Sequence, residues 1–184
     1  VLRVIAGAQR GRRLVTPAGE ATRPTSDRAR EALFDLLGGV PEGARVLDLF
    51  AGSGALGIEA LSRGARHAVF VERARPALRA LRENLGALGL ASRATVLAAD
   101  ALADPAAAEG PFDLVLADPP WGEALEERVV RAAPARLQAG GVLAVEHPSA
   151  RPAPAAPIGL ALWKARRYGG TSLALYVRVA EENP

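Results

Sequence analysis

From residue 45 onward, short runs of consecutive apolar residues alternate with stretches whose apolar residues recur every three or four positions. The runs predict strands at 46–50, 68–72, 94–98, 112–117 and 141–146. Helices are predicted at 54–63, 76–88 and 123–137, with a short one after the third strand. In 76–88, Leu78, Leu81, Leu85 and Leu88 share one face, and Gly89 supplies a stop. Strands that are apolar on both sides need cover on both faces, which means a mainly parallel sheet between helical layers. After a Pro/Ala connector at 151–157 the rhythm breaks. The runs 160–167 and 172–179 flank Tyr168-Gly169-Gly170-Thr171, an antiparallel hairpin signal. Five strands of the βα kind followed by a hairpin is not the layout of a six-stranded dinucleotide fold.

The first 40 residues read differently. Residues 2–15 form two short extended pieces around Gln9-Arg10-Gly11, where Gly11 supplies the positive φ of a turn. Pro24 disfavours helix before it, and Thr25 or Ser26 can cap the helix that follows. Leu33, Phe34 and Leu37 form that helix's stripe, and Gly38-Gly39 ends it. The expected fold is α/β: a mostly parallel seven-stranded sheet with a C-terminal antiparallel hairpin, preceded by a small N-terminal β-hairpin and helix. The expected division is a basic extension at 1–40 and the main α/β domain at 41–184.

A chain of 184 residues, 49% hydrophobic and 23% charged, suits one domain with a small appendage. The absence of cysteine removes disulfides, zinc–cysteine sites, iron–sulfur clusters and thiol nucleophiles. His67 and His147 are too few imidazoles for a multi-histidine metal site, so no metal is expected. No apolar run approaches the ~20 residues of a membrane span, and no secretory pattern opens the chain. The expected location is the cytoplasm, without membrane contact. Methionine is absent altogether, which implies a start after processing or trimming. All but one of the basic residues are Arg, a composition that fits a thermophile or a high-G+C genome. Charge is uneven: residues 1–30 carry a net +5, and 31–184 a net −2. A basic arm on a near-neutral body suits a phosphate-rich partner, although a solvated arm has the same composition.

The strongest local motif is Asp48-Leu49-Phe50-Ala51-Gly52-Ser53-Gly54-Ala55-Leu56-Gly57, where a strand should become a helix. Its glycines permit close backbone approach to a ligand, and Glu72, at the next strand end, can accept hydrogen bonds from a ribose diol. These two features alone also fit NAD. Asp48 points elsewhere, because a carboxylate four residues before Gly52 repels a pyrophosphate and suits a cationic ligand. Asp100-Ala101 ends the third strand, where a polar group can read an adenine edge. Asp118-Pro119-Pro120-Trp121 ends the fourth. Adenine, a ribose diol and a cationic end describe S-adenosylmethionine.

On these residues the sequence resembles the class I, Rossmann-like methyltransferases. The resemblance implies cofactor contacts from Asp48, Phe50, Ala51, Gly52, Ser53, Gly54, Glu72, Arg73, Asp100, Ala101 and Asp118. It also implies S-adenosylhomocysteine as product. The Asp118–Trp121 pattern resembles that of enzymes methylating exocyclic or planar amide nitrogens. There Asp118 and the Pro119 carbonyl would orient the amine, Pro120 would stiffen the turn and Trp121 would stack on a flipped base.

Further matches run through nearly the whole chain. They include Arg3-Val4-Ile5-Ala6-Gly7, Arg10-Gly11-Arg12-Arg13-Leu14, Arg23-Pro24-Thr25-Ser26-Asp27-Arg28-Ala29-Arg30-Glu31-Ala32-Leu33-Phe34 and Leu47–Gly64. By these the chain resembles the RsmD family of bacterial small-subunit rRNA guanine-N2 methyltransferases. The resemblance implies the 16S rRNA guanine at position 966 as target, in an assembled or partly assembled 30S particle, and a monomeric enzyme. Arg10, Arg12, Arg13, Arg23, Thr25 and Arg28 are the candidate RNA contacts. Trp121 departs from the Phe or Tyr expected at its position but keeps a flat face. Alternatives are an amino-methyltransferase for DNA adenine or cytosine or for protein glutamine, and a NAD-dependent oxidoreductase. A non-catalytic RNA-binding protein on the same scaffold is a further alternative. Trp163 and Tyr176 are expected in the core, Tyr168 at an exposed turn, and His67 packed or facing solvent. His147 is expected beyond the fifth strand, without a role.

Overall fold

The computed structural model describes residues 2–17, 27–103 and 109–180. Strands β1 (Arg45–Leu49), β2 (His67–Glu72), β3 (Ala94–Ala98), β4 (Phe112–Ala117), β5 (Leu137–Pro148), β6 (Leu160–Tyr168) and β7 (Thr171–Arg178) make one sheet. Its order is β3-β2-β1-β4-β5-β7-β6. The pairs among β1 to β5 are parallel, and β7 runs antiparallel to both β5 and β6. The helices are α1 (Asp27–Leu37), α2 (Ala55–Ser62), α3 (Arg75–Ala87) and α4 (Leu125–Ala132). This is the expected seven-stranded α/β architecture. Strand order reverses direction beside β1, so a crevice opens at the carboxyl ends of β1 and β4, where sheets of this kind bind ligands.

One apolar cluster joins the α1, α2 and α3 side of the sheet, and it includes Val4, Leu14, Leu33 and Phe34 from the first 40 residues. The other joins the α4 side and includes Tyr176. Burial pushes the Tyr176 hydroxyl up to about 12, so it stays protonated and donates to the Pro154 carbonyl at 2.6 Å. The stripe of α3 packs as expected, and Gly89 follows it with φ +67°.

Five expectations need correction. The helix expected over 123–137 is α4 at Leu125–Ala132 with a single 3-10 turn, Ala133–Ala135, after it. Pro134 in that turn has no N–H to continue the α ladder. β5 begins at Leu137, not 141, because its irregular start pairs Leu137 with Phe112 before the register resumes at Val142. It continues through His147, which lies inside the strand and is buried. The N-terminal hairpin reduces to one antiparallel bridge, Arg3 with Arg13, although Gly11 does turn the chain at φ +81°. Trp163 is 47% exposed rather than core, because the irregularity between Leu162 and Lys164 takes it out of the β6–β7 register. Tyr168 is exposed as expected. His67 packs, with Nε2 2.9 Å from the Thr95 hydroxyl. The cap expected at Thr25 or Ser26 lies outside the described residues.

Candidate cofactor and catalytic site

The chain leaves β1 through Phe50, whose φ of +59° is unusual for a residue with a side chain. Gly52 at +55° and Gly54 at +87° continue the turn, and Gly54 caps α2. A Cβ on Gly52 would meet nothing within 4 Å, so this face of the loop opens onto space for a ligand. The other two glycines serve packing. A Cβ on Gly54 would lie 2.4 Å from Leu81, and one on Gly57 2.3 Å from the Phe70 ring. The Gly57 contact lets α2 sit close on β2, the task of the third glycine in such loops.

Glu72 holds this loop from the adjacent strand. Its Oε2 accepts the Gly52 N–H at 2.8 Å. Its Oε1 accepts the N–H groups of Arg73 (2.8 Å) and Ala74 (2.7 Å). A carboxylate has about four acceptor positions, so about one remains for a ligand hydroxyl. Asp48 is buried under α2, and its Oδ2 accepts the Gly57 N–H at 2.8 Å. Burial raises its pKa to about 7; the Gly57 hydrogen bond opposes the rise, and the charges of Asp118 and Glu72 add to it. That mutual repulsion means the three carboxylates share one region of negative potential, which favours a cation.

At the next strand end, the Oδ1 of exposed Asp100 accepts the Leu102 N–H at 2.9 Å. Its Oδ2 lies 3.4 Å from the Arg73 guanidinium. Ala101 is buried in the turn that follows. Asp118, Pro119, Pro120 and Trp121 follow β4 directly, with Asp118 half-buried, Pro119 buried and Pro120 exposed. Trp121 is 44% exposed, a large apolar face turned toward solvent. The carboxyl ends of β1, β2, β3 and β4 thus carry the residues expected to hold the cofactor and the target amine, while the expected RNA contacts lie in the first 40 residues.

Sequence reasoning missed the polar side chains that fasten the basic arm. Glu59 is fully buried and accepts the N–H groups of Ile5 (2.8 Å) and Ala6 (3.0 Å). It also pairs with Arg63 at 2.7 Å and Arg30 at 3.8 Å. The Ser62 hydroxyl accepts the Gln9 N–H. Asn84 clamps Val15 by accepting its N–H at 2.8 Å and donating to its carbonyl at 3.0 Å. The same amide donates to the Ser53 carbonyl in the glycine loop at 3.0 Å. The readable signals are polar residues on apolar faces, such as Asn84 beside Leu81, Leu85 and Leu88. Arg30, from the run Arg23–Phe34 that carries the family resemblance, is buried and structural. Arg10, Arg12, Arg13 and Arg28 are exposed, with Arg12 donating to the Ala87 carbonyl. Arg23 and Thr25 lie outside the described residues.

Among the described residues, no group of three or more acidic or imidazole side chains could hold a metal ion. No helix there is long and apolar enough to cross a membrane.

Fold and site together define a class I, Rossmann-like methyltransferase. The family model described as conserved hypothetical protein 95 matches residues 2–177. Ribosomal RNA small subunit methyltransferase D of Escherichia coli K12 is 37% identical over 186 residues, 98% of this chain and 91% of the relative. The solved structure of yhhF from Escherichia coli superposes with a TM-score of 0.84 at 35% identity, covering 97% of this chain and 98% of the other. A hypothetical protein of Thermus thermophilus gives a TM-score of 0.77 at 36% identity, covering 95% of this chain and 98% of the other. The chain belongs to the RsmD family.

Proposed function

We propose that this protein is an S-adenosylmethionine-dependent rRNA methyltransferase acting on the exocyclic N2 of a guanine in small-subunit rRNA. The observation that carries the reading is the meeting of the glycine loop, the carboxylates of Asp48 and Glu72, and Asp118–Trp121 at one crevice. Kinship over nearly the full length with a small-subunit rRNA methyltransferase supports the substrate class. The cofactor fits this crevice on three counts: open space at Gly52, an acceptor position left on Glu72, and negative potential around Asp48. Phe50, Ala51, Ser53 and Gly54 would line the methionine side; Arg73, Asp100 and Ala101 would border the adenosine. When bound, S-adenosylmethionine supplies a methyl group on a cationic sulfur and leaves as S-adenosylhomocysteine.

The protein's part is positioning. The lone pair of a guanine N2 is delocalised into the ring and is a poor nucleophile. Asp118 and the Pro119 carbonyl accept its two N–H groups, which fixes the amine and favours a pyramidal nitrogen. A carboxylate is too weak a base to deprotonate a neutral arylamine. Asp118 therefore takes the proton only after the nitrogen has become cationic. Trp121 stacks on the extruded base, a contact worth ~1–3 kcal/mol. The exposed arginines of the arm hold phosphates of the surrounding RNA, and the enzyme works as a monomer. Residues 1–40 serve as the RNA-reading extension and 41–184 as the catalytic domain.

The test is methyl transfer to small-subunit particles, naked rRNA and duplex DNA, with the label mapped at base resolution. Label on guanine N2 of small-subunit rRNA supports the proposal. Transfer to DNA alone, or to a protein glutamine, overturns it.

A further inference from the structure

The basic N-terminal arm is not the only place where positive charge collects. Residues 148–180 contain Arg151, Lys164, Arg166, Arg167 and Arg178 and no acidic residue, a net of +5. The 117 residues between, 31–147, carry a net −5. Two equally basic segments thus flank an acidic catalytic body.

The second segment is the β6–β7 hairpin, with β6 at the edge of the sheet. Some of its charge is spent on the fold. Arg151 pairs with Glu126, Lys164 donates to the Leu36 carbonyl, Arg178 donates to the Leu137 carbonyl, and the Nε of Arg167 donates to the Gly169 carbonyl at 3.1 Å. Arg166, Arg167 and Tyr168 are exposed at the end of β6, beyond Trp163, whose ring Lys164 covers at 3.8 Å. Charge on an edge strand commonly serves to block strand pairing between molecules. That purpose does not account for Leu162, Trp163 and Tyr168 standing exposed on the same strand. Cations interleaved with aromatic rings are what a single-stranded nucleic acid requires: phosphate partners and flat faces for bases.

Register places the hairpin tip at the catalytic edge. Ala117, the last residue of β4, pairs with Val145. Three residues further along β5, Pro148 pairs with Thr171, which pairs with Tyr168. At ~3.3 Å per residue, the tip rises about 10 Å beyond Ala117, at the same end of the sheet as Asp118. Three strand steps of ~4.8 Å set it about 14 Å to the side of β4. Ser149 fastens it there, its N–H donating to the Gly170 carbonyl at 2.9 Å and its hydroxyl to that of Gly169 at 3.0 Å.

We infer that the β6–β7 hairpin, through Arg166, Arg167 and Tyr168, is a second RNA-binding surface that grips single-stranded nucleotides flanking the target base. This deepens the proposed function and rests on it. The arm and the hairpin then hold the RNA from opposite ends of the chain, with the acidic crevice between them.

The test compares wild type with Arg166→Gln/Arg167→Gln, Tyr168→Ala and Tyr168→Phe. Binding to naked small-subunit rRNA is measured across a salt series, and S-adenosylmethionine affinity serves as the check of folding. The double variant should lower the log–log salt slope by about 1.4 and weaken binding roughly tenfold at 0.15 M salt. Tyr168→Ala should weaken binding without changing the slope, and Tyr168→Phe should restore it. S-adenosylmethionine affinity should stay within twofold throughout. Wild-type RNA affinity and slope in the double variant, with rRNA methylation intact in the wild type, would overturn this inference alone. A wild type that methylates no rRNA would overturn the proposed function instead. A wild-type dimer that these substitutions dissociate would make the edge a self-association surface and also overturn the inference.

Discussion

Replacing Glu72 with Ala tests how the glycine loop is held. The carboxylate accepts three backbone N–H groups, from Gly52, Arg73 and Ala74, and keeps about one position for a ribose hydroxyl. A hydrogen bond to a charged group contributes about 1.5–3 kcal/mol net. Loss of the ribose bond alone therefore predicts S-adenosylmethionine binding weaker by about 10- to 150-fold. The three freed donors are only partly buried, so water replaces much of what they lose. A residual cost of about 1–3 kcal/mol corresponds to a fall in Tm of roughly 3–10 °C for a chain of this size. Glu72→Gln keeps one carbonyl acceptor but turns N–H groups toward the backbone donors, so it should lie between wild type and Ala. Titration calorimetry and thermal denaturation read the two effects separately. A Glu72→Ala protein with wild-type Tm and affinity within twofold would refute the loop-holding role and the ribose contact together.

Asp48 gives a pH signature. With its pKa at about 7, it becomes charged as pH rises through neutrality, so affinity for cationic S-adenosylmethionine should climb to a plateau above pH 7. Affinity for S-adenosylhomocysteine, whose sulfur is neutral although its α-ammonium remains, should rise less steeply with pH, and Asp48→Asn should remove the difference; parallel curves in wild type would contradict this. Folded Asp48 binds its proton more tightly than an unfolded Asp at 3.8, so its contribution to stability is lost as pH rises toward about 7. Denaturant titrations should therefore show Asp48→Asn gaining on wild type over that window. Glu59→Ala should destabilise by about 2–4 kcal/mol, because it frees the Ile5 and Ala6 N–H groups, strips Arg63 of its partner and leaves buried Arg30 with Asp27 as its remaining carboxylate. The arm should then be cleaved by protease under native conditions; an unchanged Tm would show that the arm is held by other contacts. Neutralising Arg10 and Arg12 should flatten the salt dependence of rRNA binding by roughly 0.7–0.9 in log–log slope for each lost contact. An unchanged slope would make them solvated charge.

The strands were legible because a parallel sheet buries both faces, which forces apolar runs such as 68–71 and 114–117 that little else produces. The site was legible because its residues sit just after those runs. What the chain did not reveal locally is non-local pairing. The end of α4 was hidden by Ala132, Ala133 and Ala135, which suit helix or turn and mark no face. The length of β5 depends on its partner β7, which pairs with it as far as Pro148. The arm reads as a hairpin, yet Ile5, Ala6, Gln9 and Val15 bond to side chains more than 50 residues away. Gly7 shows how close that docking is, since a Cβ there would lie 1.9 Å from the Ser62 carbonyl oxygen. The carboxylate of Glu72 reads as a ribose acceptor, while its hold on Gly52 becomes visible only once β1 and β2 are side by side.

Single-turnover kinetics on small-subunit particles tests whether Asp118 orients a guanine amine for methyl transfer. With saturating S-adenosylmethionine and the methyl group located by mass spectrometry, wild type should label guanine N2. Asp118→Ala should slow the chemical step far more than it weakens cofactor binding, because the lost acceptor matters most as the nitrogen pyramidalises. Trp121→Phe should keep much of the rate and Trp121→Ala should lose ~1–3 kcal/mol of base positioning. Methyl transfer by Asp118→Ala at the wild-type rate, or label on a ribose oxygen or a ring carbon, would contradict the account.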